Sequence, residues 1–488
     1  MNIGRAVWSR RENPRKHRAD TRRAAEQRRS RLGRLAVEGM ESRQLLATFS
    51  VINTNDSGAG SLRQAIIDSN NSAGADTINF NISGSGVRTI NLQSTLPATL
   101  GPVTIDGYSQ PGSTANVIDP GTNARPLIEL NGQNVLGDGL TIAGGTSNIR
   151  GLVINRFSGY GIRVISNNNV IAGNFIGTNP LGSQVSATNP LLVGIRIENA
   201  AGNVIGGTAR DARNVISGAS LSGVQIAGTV ASNNRILGNM IGTDAAGLRS
   251  LPNSNYGVSI INAPANTIGG TTAGVRNVIS GNIGGGVQIF GDLADGNRVQ
   301  GNFIGTNRDG NAALPNSGAG VIIVGASSNV VGDITPESRN LISGNTGDGV
   351  VIQRDSSDPN DPNAGGNSIR GNSIGTNAAG TFAIPNGGHG VFINNVATNT
   401  VGGTAAGTRN LIGGNSGHGV LIQGTRALSN TIQGNTIGTD LGLVVDIGNQ
   451  GDGIRIDGSN FNRVGADGTV TGAGNNIAFN RGSGVAVI

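Results

Sequence analysis

The sequence predicts an all-β solenoid, a single-stranded parallel β-helix with about three strands per coil, and three observations predict it. The first is a long repeat. Gly-Asn-x-Ile-Gly-Thr-[Asn/Asp] begins at Gly173, Gly238, Gly301, Gly371 and Gly434, at spacings of 65, 63, 70 and 63 residues. Arg-Asn-x-Ile-[Ser/Gly]-Gly begins at Arg213, Arg276, Arg339 and Arg409, at spacings of 63, 63 and 70. The second is a strand-sized tetrad, Gly-[Val/Ile]-x-[Ile/Val], at 161, 194, 223, 257, 286, 320, 349, 390, 419, 453 and 484. Its intervals alternate near 29 and 34 residues, so each repeat of about 63 residues is a short coil followed by a long one. The third is composition. There are 82 Gly, 3% aromatic residues and a 36% apolar share, a balance unsuited to a ring-stacked core but rich enough to bury strands.

Residues 1–47 form a basic leader, either disordered or helical. They hold 13 of the 35 Lys and Arg and 5 of the 29 Asp and Glu, a net of +8, which leaves −2 on the rest of the +6 chain. Nucleic acid is therefore not expected as a partner of the body. No apolar run reaches the length of a transmembrane helix, and the leader lacks an ordinary secretory apolar core. Ser9-Arg10-Arg11 hints at a twin-arginine signal, but Glu12-Asn13-Pro14 follow. The leader closes on LGRLAVEGMESRQLLA, residues 32–47. Through Glu38, Glu41, Arg43, Leu45, Leu46 and Ala47 this resembles the N-terminal motif of planctomycete extracellular proteins. The resemblance implies an extracellular or cell-surface location; a basic arm touching RNA or a membrane is the alternative.

Residues 48–76 read as a strand and a capping helix. FSVIN precedes a turn at Asp56-Ser57-Gly58, Ser61 is placed to N-cap, and Leu62, Ala65, Ile66 and Ser69 fall on one helical face. Such a helix would cover the open first coil of a solenoid.

Residues 77–488 read as the β-helix. In Gly257-Val258-Ser259-Ile260 the Val and Ile point to one side and Ser to the other. One such piece cannot bury its apolar face, but stacked pieces form continuous inner columns. Asn174, Asn239, Asn302, Asn372 and Asn435 recur at one corner and are placed to form a hydrogen-bonded ladder. The extra seven residues in the 70-residue spacing come from an insert at 355–366. The chain stops mid-coil at GSGVAVI, which predicts an uncapped end, left by truncation or free to pair with another chain.

Three strand pieces per coil and parallel stacking resemble the right-handed β-helix of the pectate-lyase-like superfamily over residues 49–488. Right-handedness rests on that resemblance and on the general crossover preference. The superfamily includes polysaccharide lyases and hydrolases that use carboxylate clusters, sometimes with Ca²⁺. The sequence has no Asp-Asp, Asn-Thr-Asp or Arg-Ile-Lys motif of the polygalacturonase type. It has Gly-His-Gly twice, at 388–390 and 417–419, but there the glycines belong to the repeat.

Two sets of residues carry the candidate chemistry. His389 and His418 share one repeat position on adjacent coils, with Asp348 before and Asp452 after, on rungs about 5 Å apart. Such a column could bind a divalent metal, or raise a His pKa through its carboxylates. The plainer reading is a solvated turn position. In the insert, Asp355, Asp358 and Asp361 offer oxygen ligands for Ca²⁺, against an ordinary protruding turn with Pro359 and Pro362. No other cofactor is expected, and zero Cys excludes thiolate chemistry. Two functions follow. One is a non-catalytic secreted or surface repeat protein, structural, adhesive or in contact with extracellular polysaccharide or the cell envelope. The other is a polysaccharide lyase or glycoside hydrolase.

Overall fold

The computed structural model describes residues 46–488 except 187, 273, 358–364 and 467–469. Expectations for residues 1–45, and for Asp358 and Asp361, therefore lie outside the described residues. The described chain is a parallel β-helix. Its strands fall into three sheets of 14, 13 and 12 strands, here sheets A, B and C, visited in that order once per coil. Strand pairs within the sheets are parallel and in register: Val258 sits between Val224 and Val287, and Ile260 between Ile226 and Ile289. At the usual strand spacing, the rungs of sheet A extend for about 60 Å.

The inner columns form one core. Val224, Val258, Val287, Val321, Val350, Val391 and Val420 are fully buried, as are the Ile residues two positions later. At the start, Thr48–Val51 is the first strand of sheet A. The helix Leu62–Asn71 packs on that strand and its neighbour through Leu62, Ala65 and Ile66. Ser61 caps it, its hydroxyl accepting from the Gln64 amide at 3.2 Å.

The asparagine ladder is larger than its sequence signature. Asn214, Asn277, Asn340 and Asn410 of the Arg-Asn motif occupy the same corner as Asn174, Asn239, Asn302, Asn372 and Asn435, and the two sets alternate. Asn239 Nδ2 donates to Asn277 Oδ1 at 3.0 Å, and Asn277 Nδ2 to Asn302 Oδ1 at 2.8 Å. A second ladder precedes sheet A, through residues such as Asn234, Asn266 and Asn297. A third precedes sheet C, through residues such as Asn282, Asn316 and Asn345. Each side chain satisfies polar groups at a corner that the sheet ladders cannot reach.

The two coil lengths differ in where the extra chain goes. A short coil lengthens the A-to-B connection, as in residues 207–214, while a long coil lengthens the B-to-C connection, as in residues 242–257. These protrusions flank the outer face of sheet B. The long-coil turns stack on one another: Ala245 N donates to Gly182 O at 2.8 Å, and Arg308 N to Gly247 O at 3.0 Å.

Candidate functional site

The structure brings Asp348, His389, His418 and Asp452 into one column at the entry to sheet C. Each side chain accepts the backbone amide of the same position one coil on. His389 N donates to Asp348 Oδ1 (2.5 Å), His418 N to His389 Nδ1 (2.9 Å), Asp452 N to His418 Nδ1 (2.8 Å) and Ser483 N to Asp452 Oδ1 (2.7 Å). Asp138 does the same for Tyr160 N at 2.9 Å near the other end. The imidazoles lie 5.1 Å apart, within 4° of parallel, and His389 also meets the Phe392 ring at 5.6 Å.

The same contacts explain the Gly-x-Gly motif. A Cβ on Gly417 would stand 2.5 Å from His389 Nδ1, and one on Gly451 2.5 Å from His418 Nδ1. The first glycine leaves room for the accepting side chain below. The second packs against the next coil: a Cβ on Gly390 would be 2.5 Å from Ile412 Cγ2.

The expectation that the carboxylates raise the histidine pKa values is corrected here. Both are lowered from the ordinary value. Burial is the largest cause, opposed by Asp348 at His389 and by Asp452 at His418. Arg455 adds to the lowering at His418. His418 Nδ1 lies 3.3 Å from Asp452 Oδ2, an ion pair only for a protonated ring. The amide donated to that same nitrogen, together with burial, favours the neutral ring. Among the described residues, no group of three or more His, Asp or Glu side chains is arranged to hold a metal ion. In the insert, Asp355 Oδ1 accepts the Ser357 amide at 2.9 Å, and the adjoining surface depression is lined by Arg354 and Arg426.

A second site was not singled out in the sequence. The Arg-Asn and Gly-Asn signatures share one register, so arginine and glycine alternate at the corner leading into sheet B: Arg213, Gly238, Arg276, Gly301, Arg339, Gly371, Arg409, Gly434. The glycines have φ near +70°, and a Cβ on Gly301 would stand 2.5 Å from Glu337 O. A side chain at those glycines would collide with the neighbouring loop's backbone, so the row carries one guanidinium every two coils. Beside this row runs a groove of about 580 Å³. Its floor is the outer face of sheet B, including Met240, Val278, Phe303 and Leu341. Short-coil loops (Thr272, Pro336) form one wall, and long-coil turns (Arg308, Ala378) the other. The signal was present as two repeat series; their common register was not.

No protein-family model matches the chain, and no curated protein matches it. Among solved structures, the Dettilon tailspike protein aligns over 90% of this chain at 15% identity and a TM-score of 0.43, and the chain spans 66% of the tailspike's length. The A-module of the Azotobacter vinelandii mannuronan C-5 epimerase AlgE4 aligns over 85% of this chain and 95% of its own at 12% identity, TM-score 0.36. The PL6 family polysaccharide lyase of Pseudopedobacter saltans aligns over 71% and 84% at 11% identity, TM-score 0.31. The likeness is one of fold. It assigns no chemistry to the histidine column or to the groove.

Proposed function

We propose that this is a secreted or cell-surface β-helix protein, non-catalytic, that serves as a rigid structural or adhesive element in contact with glycan. One observation carries the reading. The groups that look most like acid–base machinery, on Asp348, His389, His418 and Asp452, are engaged with backbone amides of the next coil. A general base needs a free lone pair aimed at substrate; here the carboxylate Oδ1 and imidazole Nδ1 atoms hold the scaffold. The leader motif at residues 32–47 supports export, and among the described residues no helix is long and apolar enough to cross a membrane.

The alternative is a polysaccharide lyase or hydrolase working from this column, and the aligned epimerase and lyase prompt a direct test. The full chain is incubated with pectins, alginates and sulfated glycans, with and without Ca²⁺, beside His389→Ala and His418→Ala variants. No turnover on any substrate is the expected result. Turnover that both variants lose would establish the enzyme reading instead.

A further inference from the structure

The loop between residues 110 and 126 runs along the outside of the solenoid and is seated on the first arginine of the row. Arg213 Nη2 pairs with Asp119 Oδ1 at 2.8 Å, Nη1 donates to Gly121 O, and Nε donates to Gly238 O at 2.9 Å. The residues after Asp119 are engaged as well: Arg308 Nη1 donates to Pro120 O (3.2 Å) and Thr122 N to Ala245 O (3.0 Å). One end of the groove thus holds a peptide segment of this chain, bound through an Asp-Pro pair.

The rest of the groove offers the same guanidinium group twice more. Arg276 and Arg339 occupy the next two arginine positions, and Arg276 lies on the Phe303 ring at 4.1 Å. Among the described residues, neither guanidinium has an ion pair or a side-chain hydrogen bond. Of the carboxylates lining the groove, Asp119 is paired with Arg213 and Asp309 with Arg308 at 3.7 Å, so Glu337 is set against two arginines. The groove therefore keeps an excess of positive charge beside an apolar floor.

The chain contains Asp-Pro three times. One is Asp119-Pro120; the other two, Asp358-Pro359 and Asp361-Pro362, are both in the insert. The insert leaves the solenoid between Gln353, the end of a sheet C strand, and Ser368, the start of a sheet A strand. Its described flanks Ser357 and Gly366 are exposed. That corner lies away from sheet B, and short-coil loops wall the groove on the sheet A side. The spacing of the two aspartates fits the arginines. Three residues of extended chain span about 10 Å, and the two coils between Arg276 and Arg339 also span about 10 Å.

We propose that the insert of one copy of this chain docks in the sheet B groove of a second copy, with Asp358 and Asp361 paired to Arg276 and Arg339 as Asp119 is paired to Arg213. The two surfaces lie on different sides of the solenoid. The contact is therefore heterologous and links copies head to tail, into a closed ring or an open row. Such assembly goes beyond the structural role proposed above and does not depend on contact with glycan. Carboxylate–guanidinium pairs hold it, so salt weakens it.

The test is sedimentation velocity of the full chain over a range of concentrations, at low and high salt. Concentration-dependent association that salt weakens is expected. Arg276→Gln with Arg339→Gln should reduce it by about tenfold or more, and so should Asp358→Asn with Asp361→Asn, which leaves the groove untouched. Mixing these two double variants should restore one-to-one pairs, because one supplies the insert and the other the groove. A synthetic peptide of residues 353–366 should compete with the association, whereas the peptide carrying Asp358→Asn and Asp361→Asn should not. Arg298→Gln, on sheet A and paired with Asp333, should associate as the parent does. Unfolding midpoints establish that each variant is folded. A parent chain that stays monomeric at every concentration would overturn the proposal, even if the free peptide binds. A monomeric chain whose groove takes an alginate oligosaccharide instead would make the occupant a glycan. Association that survives both double substitutions would put the interface elsewhere and overturn the proposal as well.

Discussion

His389 and His418 stack face to face while the His418 amide donates to His389 Nδ1 at 2.9 Å, so each ring both packs on its neighbour and holds the next coil in register. The accepting nitrogen must be unprotonated. Both folded pKa values are depressed, chiefly by burial. The unfolded chain therefore binds protons first as pH falls through about 6.5. The resulting stability is present above that pH and lost progressively below it, down to the lower folded pKa values. Urea unfolding should show an acid-side loss between pH 7 and 5. His389→Asn with His418→Asn retains acceptors and should flatten the histidine part of that loss. An unchanged profile would count against the assignment.

The first glycine of each Gly-x-Gly motif is required by the side chain beneath it. Gly417→Ala should destabilise by about 1–3 kcal/mol, because its Cβ would crowd His389 Nδ1 and the Gly388 carbonyl. His389→Ala removes one of those contacts, so the double variant should be more stable than the two single costs add up to. A double-mutant cycle by chemical denaturation reads the coupling.

Asn302 is fully buried, donates to Ile268 O at 2.9 Å and accepts from Asn277 Nδ2 at 2.8 Å. Asn302→Ala leaves those groups without partners away from water. A loss of about 1–3 kcal/mol is expected, against a change near zero for Asn311→Ala on an exposed turn. Unfolding midpoints compare the two.

Leu443 occupies the turn position that Gly182, Gly247, Gly310 and Gly380 fill in the other long coils. It has φ +61° and is half exposed. An L-residue is strained there and has little packing to lose. Leu443→Gly should raise stability by about 0.5–1 kcal/mol, read as a higher melting temperature.

Arg213 fastens a loop almost a hundred residues away in sequence. Arg213→Ala removes the Asp119 pair and the bond to Gly121 O together. Limited proteolysis should then cut within residues 113–123, which those contacts should protect in the parent chain. Protection unchanged by the substitution would show that Asn116 and Thr122 hold the loop alone.

Much of the architecture was legible because it repeats. The alternation of Val and Ile about a polar residue declares a strand with one buried face, and a fixed interval declares that such strands stack. Ser61 with Leu62, Ala65 and Ile66 declared the helix for the same local reason. The adjacency of His389 and His418 also followed from the period. Their protonation did not, because it depends on which atom the next coil's amide reaches and on how much water the turn excludes. The groove was illegible for a related reason. Arg276 and Gly301 belong to different motifs at unequal spacings, and only coiling puts them in one row. Nor could local sequence show that Asp119 meets Arg213, since that contact forms where a loop crosses several coils. The sequence by itself determined the period, the buried face of each strand and the polar corners, all set by local periodicity. The tertiary structure alone decided which side chains are engaged in holding the coils together and which guanidinium groups line the groove beside sheet B, because both depend on distances between coils rather than along the chain.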